Sequence, residues 1–105
     1  MADFMKLMEQ AQQVQSKLQH MQEELAQQTL TATSGGGMVT VTSDGRGRVT
    51  RVQIDASIVN PNDVEMLEDL VLVAVRDAQK RAGDLTQSGM DQLTSGLKLP
   101  FKLSL

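Results

Sequence analysis

The chain has no cysteine, no tryptophan and no tyrosine, and among its 105 residues there are one histidine and two phenylalanines. Each absence removes a class of protein. Without cysteine there are no disulfides and no thiolate metal sites, which fits a reducing cytoplasm. With His20 as the lone histidine, a multi-histidine zinc site is excluded. Few rings also means no platform on which single-stranded bases could stack. The core must then be aliphatic and methionine-rich, and a core of that kind in so short a chain is thin. Burying surface against a second copy is the natural remedy. No apolar run approaches the roughly 20 residues that span a bilayer, and "MADFMKLMEQ" carries charges where a signal peptide has its apolar stretch. The formal net charge of -3 speaks against an overall basic nucleic-acid binder, so any anion-binding surface must be local.

What is present begins with "FMKLMEQAQQVQSKLQHMQEELAQQ". Phe4, Leu7, Ala11, Val14, Leu18, Met21 and Leu25 follow each other at spacings of 3 and 4, an unbroken a/d heptad seam. Good helix formers fill the other faces, with no glycine or proline among them. The pattern predicts one long helix over 3–28 that buries a narrow stripe.

"TLTATS", "MVTVTSD" and "RVTRVQID" are short, β-branched and separated by glycine clusters, which predicts strands at 29–34, 38–44 and 48–55 in an antiparallel meander. Asp44-Gly45 reads as a tight hairpin pair of the kind that needs positive φ at both central residues, and Gly35 to Gly37 as a looser connection. Strict alternation puts Val52 and Ile54 on one face of the third strand, with Val49 and Met38 pointing the opposite way, so apolar residues are expected on both faces of the sheet. "NPNDVEMLEDLVLVAVRDAQKRAGDL" predicts a helical region over 61–93, capped by Asn60 before Pro61 or by Asn62 with Glu65. Leu67, Leu70, Val71, Ala74, Val75, Ala78 and Ala82 give it a broad apolar face. The expected fold class is α+β: one domain over 1–94, and a flexible tail over 95–105.

The glycine-rich stretch "SGGGMVTVTSDGRGRV" does not bind phosphate in the manner of a nucleotide enzyme. A phosphate-binding loop of that type ends in lysine and a hydroxyl residue and feeds a helix, whereas Gly37 is followed by Met38, Val39 and a strand. His20 reads as a solvated helix histidine, no serine lies in a nucleophile elbow, and Glu65, Glu68 and Asp69 suit a helix start better than acid–base chemistry. The chain is expected not to be an enzyme and to need no cofactor, metal or small-molecule substrate.

One pattern points to a ligand. Lys6, Gln10, Gln13, Lys17 and His20 occupy adjacent c and g positions of the heptad frame, a ridge of donors without a carboxylate between Asp3 and Glu24. Such a ridge can donate to phosphate oxygens without reading bases. Arg76, Lys80 and Arg81 form a second basic cluster on the last helix, and Arg46, Arg48 and Arg51 a third on the sheet. Two functions fit: a dimeric, sequence-tolerant binder of duplex DNA, or a dimeric adaptor that binds another protein through its heptad helices.

"MKLMEQAQQVQSKLQHMQEELAQ", "GGGMVTVTSDGRGRVTRVQID" and "NPNDVEMLEDLVLVAVRDAQKRA", followed by the "GLKLP" of the tail, resemble in order the segments of the YbaB/EbfC family of bacterial nucleoid-associated proteins. The resemblance covers nearly the whole chain. It implies an α-β-β-β-α-α homodimer shaped like tweezers, whose protruding helices grip double-stranded DNA with little sequence specificity, in the cytoplasm and associated with the nucleoid. On that basis Lys6, Gln10, Gln13, Lys17, His20, Arg76, Lys80 and Arg81 are the expected DNA-binding residues. The first helix departs from a more basic pattern in having only two lysines, and Asp84 and Asp91 dilute the last one. A modest affinity is the expected consequence.

Overall fold

A computed structural model of the chain describes residues 2–97. Five main elements follow in order: α1 (Ala2–Gln27), β1 (Thr29–Ser34), β2 (Val39–Asp44), β3 (Val49–Ile54) and α2 (Val64–Leu97). The strands form an antiparallel sheet in the order β1-β2-β3, and α2 lies across β1 and β2.

The core is small and one-sided. Along β2 every second residue is buried, Val39, Val41 and Ser43, and these face Ala74, Ala78 and Ala82 of α2. Alanines at every fourth position let the helix backbone settle close to the sheet. Full burial of a valine side chain contributes about 1.5–3 kcal/mol, and Val39 and Val41 are both fully enclosed.

Strict alternation fails on β3. Val39 pairs with Ile54 and Val41 with Val52, but Ser43 pairs with Val49, so the ladder skips Thr50. This bulge, one extra residue on the outer strand, returns Val49 to the helix side, where it packs against the core. The expectation that Val49 points away from the helix side is thereby corrected. Opposite α2 the sheet carries Thr31, Thr33, Thr40, Thr42, Arg51 and Gln53, a polar face that follows from the registers of the two strand pairs.

The turns depart from expectation in their chemistry. Gly35, Gly36 and Gly37 all lie in the left-handed region, at φ 61, 68 and 92. In the β2–β3 hairpin it is Gly47 (φ 87), not Gly45, that takes positive φ. The Gly47 amide donates to the Asp44 carbonyl, and Asp44 Oδ1 accepts from the amides of Arg46 and Arg48. The aspartate therefore closes a four-residue turn ended by a left-handed glycine, and the two-residue turn expected at Asp44-Gly45 does not form.

After β3, Asp55 Oδ1 accepts from the Ser57 amide, and hydrogen bonds from the Ser57 side chain and backbone hold the carboxyl of Asp55 below its usual pKa. The cap of α2 is neither Asn60 nor Asn62. Asn60 Oδ1 accepts from the Asn62 amide in a local turn, and Asp63 Oδ1 caps the helix by accepting from the Met66 amide. One continuous helix then runs to Leu97 in place of the two that the resemblance implied. Gly83 and Gly89 do not interrupt it. Of the tail expected over 95–105, residues 95–97 are helical, and 98–105 lie outside the described residues.

Candidate nucleic-acid interface

The radius of gyration is 19.7 Å and the longest extent 71 Å, against about 13 Å for a compact chain of this length. The excess is an arm built by both helices. α1 reaches the sheet at Leu25, whose carbonyl accepts from the amide of Gly45 at 2.8 Å. α2 leaves the sheet past Gly47, within contact of Ala82, and then runs antiparallel to α1. The two helices meet where Gly89 lies against Met21, a Cβ on the glycine standing only 2.8 Å from the Met21 sulfur. Farther out, Gln92 and Leu93 border Ser16, Lys17 and His20 across a groove of about 460 Å³.

Coverage of the α1 seam follows from this geometry. Leu25 is buried, Met21, Leu18 and Val14 are half-buried, and Ala11, Leu7 and Phe4 are exposed. The seam is therefore closed at its sheet end and open at its tip.

The ridge expected on α1 is present and exposed along its length: Lys6, Gln10, Gln13, Lys17 and His20. Its two ends differ. Lys6, Gln10 and Gln13 stand on the free part of the arm, whereas Lys17 and His20 form a lip of the groove. Lys6 and Lys17 are paired with no carboxylate among the described residues. His20 Nε2 contacts Glu24 Oε1 at 2.9 Å. Glu24 belongs to the same c/g row, so the acidic end of the ridge is part of the site and was readable from its i,i+4 spacing to His20.

The second cluster divides. Arg76 and Lys80 are exposed on α2. Arg81 turns to the sheet edge, donating to the Thr31 carbonyl at 2.8 Å and pairing with Asp77 at 3.2 Å. Its donors are thus partly used within the chain. Nor does one chain bring the two clusters together: Lys80 lies twelve residues before Gln92, the α2 neighbour of Lys17, or about 18 Å along the helix. Arg46, Arg48 and Arg51 are exposed on the hairpin and β3. The stretch Leu67 to Val75, which the sequence marks as largely apolar and suited to lie between the sheet and a second copy, borders a further surface. Past the edge of α2, Ile54 joins Leu67, Val71, Leu72 and Val75 in an apolar groove of about 480 Å³, beside the exposed Val52. The β3 bulge, which sets this alignment with Val49, leaves no mark in the residue pattern.

Comparison with known proteins gives one result. The family model described as the YbaB/EbfC DNA-binding family matches residues 1–97. The chain is 48% identical to a "Nucleoid-associated protein" of Gemmatimonas aurantiaca, covering 96% of this chain and 97% of that one. It is 50% identical to a nucleoid-associated protein of Thermodesulfovibrio yellowstonii over 92% of this chain and 85% of the relative. Among solved structures, an uncharacterized protein of Helicobacter pylori shares the fold with a TM-score of 0.79 at 24% identity, over 86% of this chain and 95% of that one.

Proposed function

The chain belongs to the YbaB/EbfC DNA-binding family, and from that premise we propose that it is a nucleoid-associated protein that binds double-stranded DNA as a homodimer with little sequence specificity. The observation that carries this reading is the arm. α1 projects from the sheet with Lys6 and Lys17 exposed and unpaired among the described residues, about 16 Å apart along the helix. Lysine and glutamine on such a ridge contact phosphates, which position a duplex without selecting bases. Lys6, Gln10, Gln13 and Lys17 form the grip, with His20 at its inner limit. Arg76 and Lys80 supply a second contact, and Arg81 a weaker one because its guanidinium is held at the sheet edge. Association with the nucleoid follows from the ligand.

The homodimer rests on the uncovered helix-side surface. Val52, Ile54 and Leu72 are each at least 40% exposed around the α2–β3 groove. A chain whose enclosed core is one small cluster of valine and alanine, Ala32, Val39, Val41, Ala74 and Ala78, gains from covering that groove. A twofold axis would then duplicate the arm and every phosphate contact.

An anisotropy titration with random duplex DNA over a range of salt tests the reading. Each neutralised phosphate contributes a slope of about -0.9 in log affinity against log salt, so two lysines in each of two chains predict roughly -3 to -4. The Lys6→Gln/Lys17→Gln double variant is expected to weaken binding to all duplexes alike. Unchanged affinity and slope would remove α1 as the grip, and absence of duplex binding at low salt would remove the function.

A further inference from the structure

Strand β3 is an edge of the sheet, and its outward backbone follows a definite pattern. The Asp55 amide donates to the Met38 carbonyl, Thr40 pairs with Gln53, and Val41 with Val52. Hydrogen-bonded and non-hydrogen-bonded pairs alternate in an antiparallel ladder, so Arg51, Gln53 and Asp55 turn their backbone groups toward β2. Those of Val52 and Ile54 point away from the sheet, where no further strand lies among the described residues. At the opposite edge Arg81 occupies the Thr31 carbonyl of β1. Neither proline nor lysine blunts Val52-Gln53-Ile54.

The side chains of this edge complement themselves. Arg51, Gln53 and Asp55 are exposed on the polar side. Val52 and Ile54 lie on the helix side, beside the α2–β3 groove and 43% and 40% exposed. Asp55 is itself extended (φ -68, ψ 128), so the strand direction continues past Ile54. Arg51 pairs with no carboxylate among the described residues, and about 13 Å of strand separates it from Asp55 of its own chain. We propose that two copies join β3 to β3 antiparallel, with Gln53 opposite Gln53 on the twofold axis and Arg51 of each opposite Asp55 of the other. The inference rests on the homodimer proposed above and names the strand that builds it.

The edge itself selects that register. Only Val52 and Ile54 offer outward groups here, so the ladder must set these residues opposite one another or opposite themselves. Centring on Gln53 hydrogen-bonds Val52 to Ile54 of the other copy and forms the arginine–aspartate contact twice, by symmetry. The next registers either way, centred on Val52 or Ile54, set Gln53 opposite Arg51 or Asp55. Those beyond set Arg51 against Arg51 or Asp55 against Asp55, and like charges directly opposite destabilise a strand pair. A carboxylate accepts at both oxygens, so the bond of Asp55 Oδ1 to the Ser57 amide leaves room for a guanidinium. The axis places both α2–β3 grooves on one side of a continuous six-stranded sheet, facing each other across the paired strands.

The chain has no cysteine, so a single introduced thiol reports the axis. Residues opposed in a non-hydrogen-bonded pair stand about 4.5 Å apart at Cα, within disulfide range. Gln53→Cys should therefore cross-link into a covalent dimer under mild oxidation. Arg51→Cys, about 13 Å from its own copy, should not. Arg51→Asp and Asp55→Arg should each raise the dimer dissociation constant about tenfold or more. Mixing those two variants should restore the dimer, because the mixed pair regains both contacts. In the parent, amide exchange at Val52 and Ile54 should slow as the dimer forms, a readout that needs no variant to fold. A parent that stays monomeric at micromolar concentration would overturn the homodimer and this pairing with it. A parent dimer would overturn the pairing alone if Val52 and Ile54 exchange freely, if Gln53→Cys links no faster than Arg51→Cys, or if mixing restores nothing.

Discussion

The amide of Gly45 donates to the carbonyl of Leu25, and a methyl group on Gly45 would stand 2.6 Å from that same oxygen. The hairpin is thereby held against the last turn of α1, backbone to backbone, at the base of the arm. Gly45→Ala is expected to destabilise the fold by about 2–3 kcal/mol through overpacking against atoms that cannot swing aside. Gly47→Ala should cost about 1–2 kcal/mol for a different reason, its positive φ. Asparagine separates the two causes, because it tolerates the left-handed region but not the lost space. In urea denaturation Gly47→Asn should recover part of the loss and Gly45→Asn none. Recovery at position 45 would contradict the close-approach account.

Two glycines of α2 should respond in opposite ways to the same change. A Cβ at Gly83 meets nothing within 4 Å, so Gly83→Ala is expected to stabilise by roughly 0.5–1 kcal/mol through helix propensity and lost unfolded-state freedom. At Gly89 the same gain is offset by displacement of Met21, whose sulfur a Cβ would crowd. Thermal melts should rise for the first variant and stay level or fall for the second. Combining Met21→Ala with Gly89→Ala should give a stability change more favourable than the sum of the two single changes, since the clash is then gone.

The contrast shows which parts of the molecule were legible from residues alone. Period-3.5 spacing announced α1, and β-branched runs between glycines announced the strands, because both signals are local. Gly89 and Gly83 look alike in sequence; only the crossing of α1 over α2 gives the former a reason. The bulge at Thr50 was likewise hidden, since the bulged strand keeps its β-branched composition and only the pairing reveals the skipped residue. Of the site, the Lys6–His20 ridge was readable because its frame is the heptad itself. The engagement of Arg81 with the Thr31 carbonyl was not, because it joins residues fifty positions apart.

Leu72 and Val73 are neighbours in sequence and both exposed, at 45% and 55%, but only Leu72 lines the α2–β3 groove. If that groove is where two copies meet, Leu72→Asp should place an unpaired charge in the interface and shift the protein to monomer or unfolded chain. Val73→Asp should leave the assembly intact. Sedimentation equilibrium of the two variants at equal concentration reads the difference. A stable parent monomer at micromolar concentration would overturn the homodimer, and equal behaviour of both variants would place its interface elsewhere.

The last prediction concerns the inner limit of the DNA ridge. Glu24 lies one turn from His20 and lines the same groove as Lys17. The His20–Glu24 pair is exposed, 71% and 64% for the two side chains, so it adds about 0–1 kcal/mol at most to stability. Its carboxylate nevertheless opposes any phosphate approaching Lys17, at a distance where salt screens incompletely. Glu24→Gln is therefore expected to leave the melting temperature nearly unchanged and to raise duplex affinity several-fold at low salt, with the gain fading as salt increases. Arg81→Gln should do the reverse, costing about 1 kcal/mol of stability through the lost bond to Thr31 while changing affinity little. Unaltered affinity in Glu24→Gln, alongside a defect in Lys6→Gln, would end the DNA path at the free part of the arm. A fall in affinity would mean that Glu24 orients His20 toward the duplex instead of repelling it.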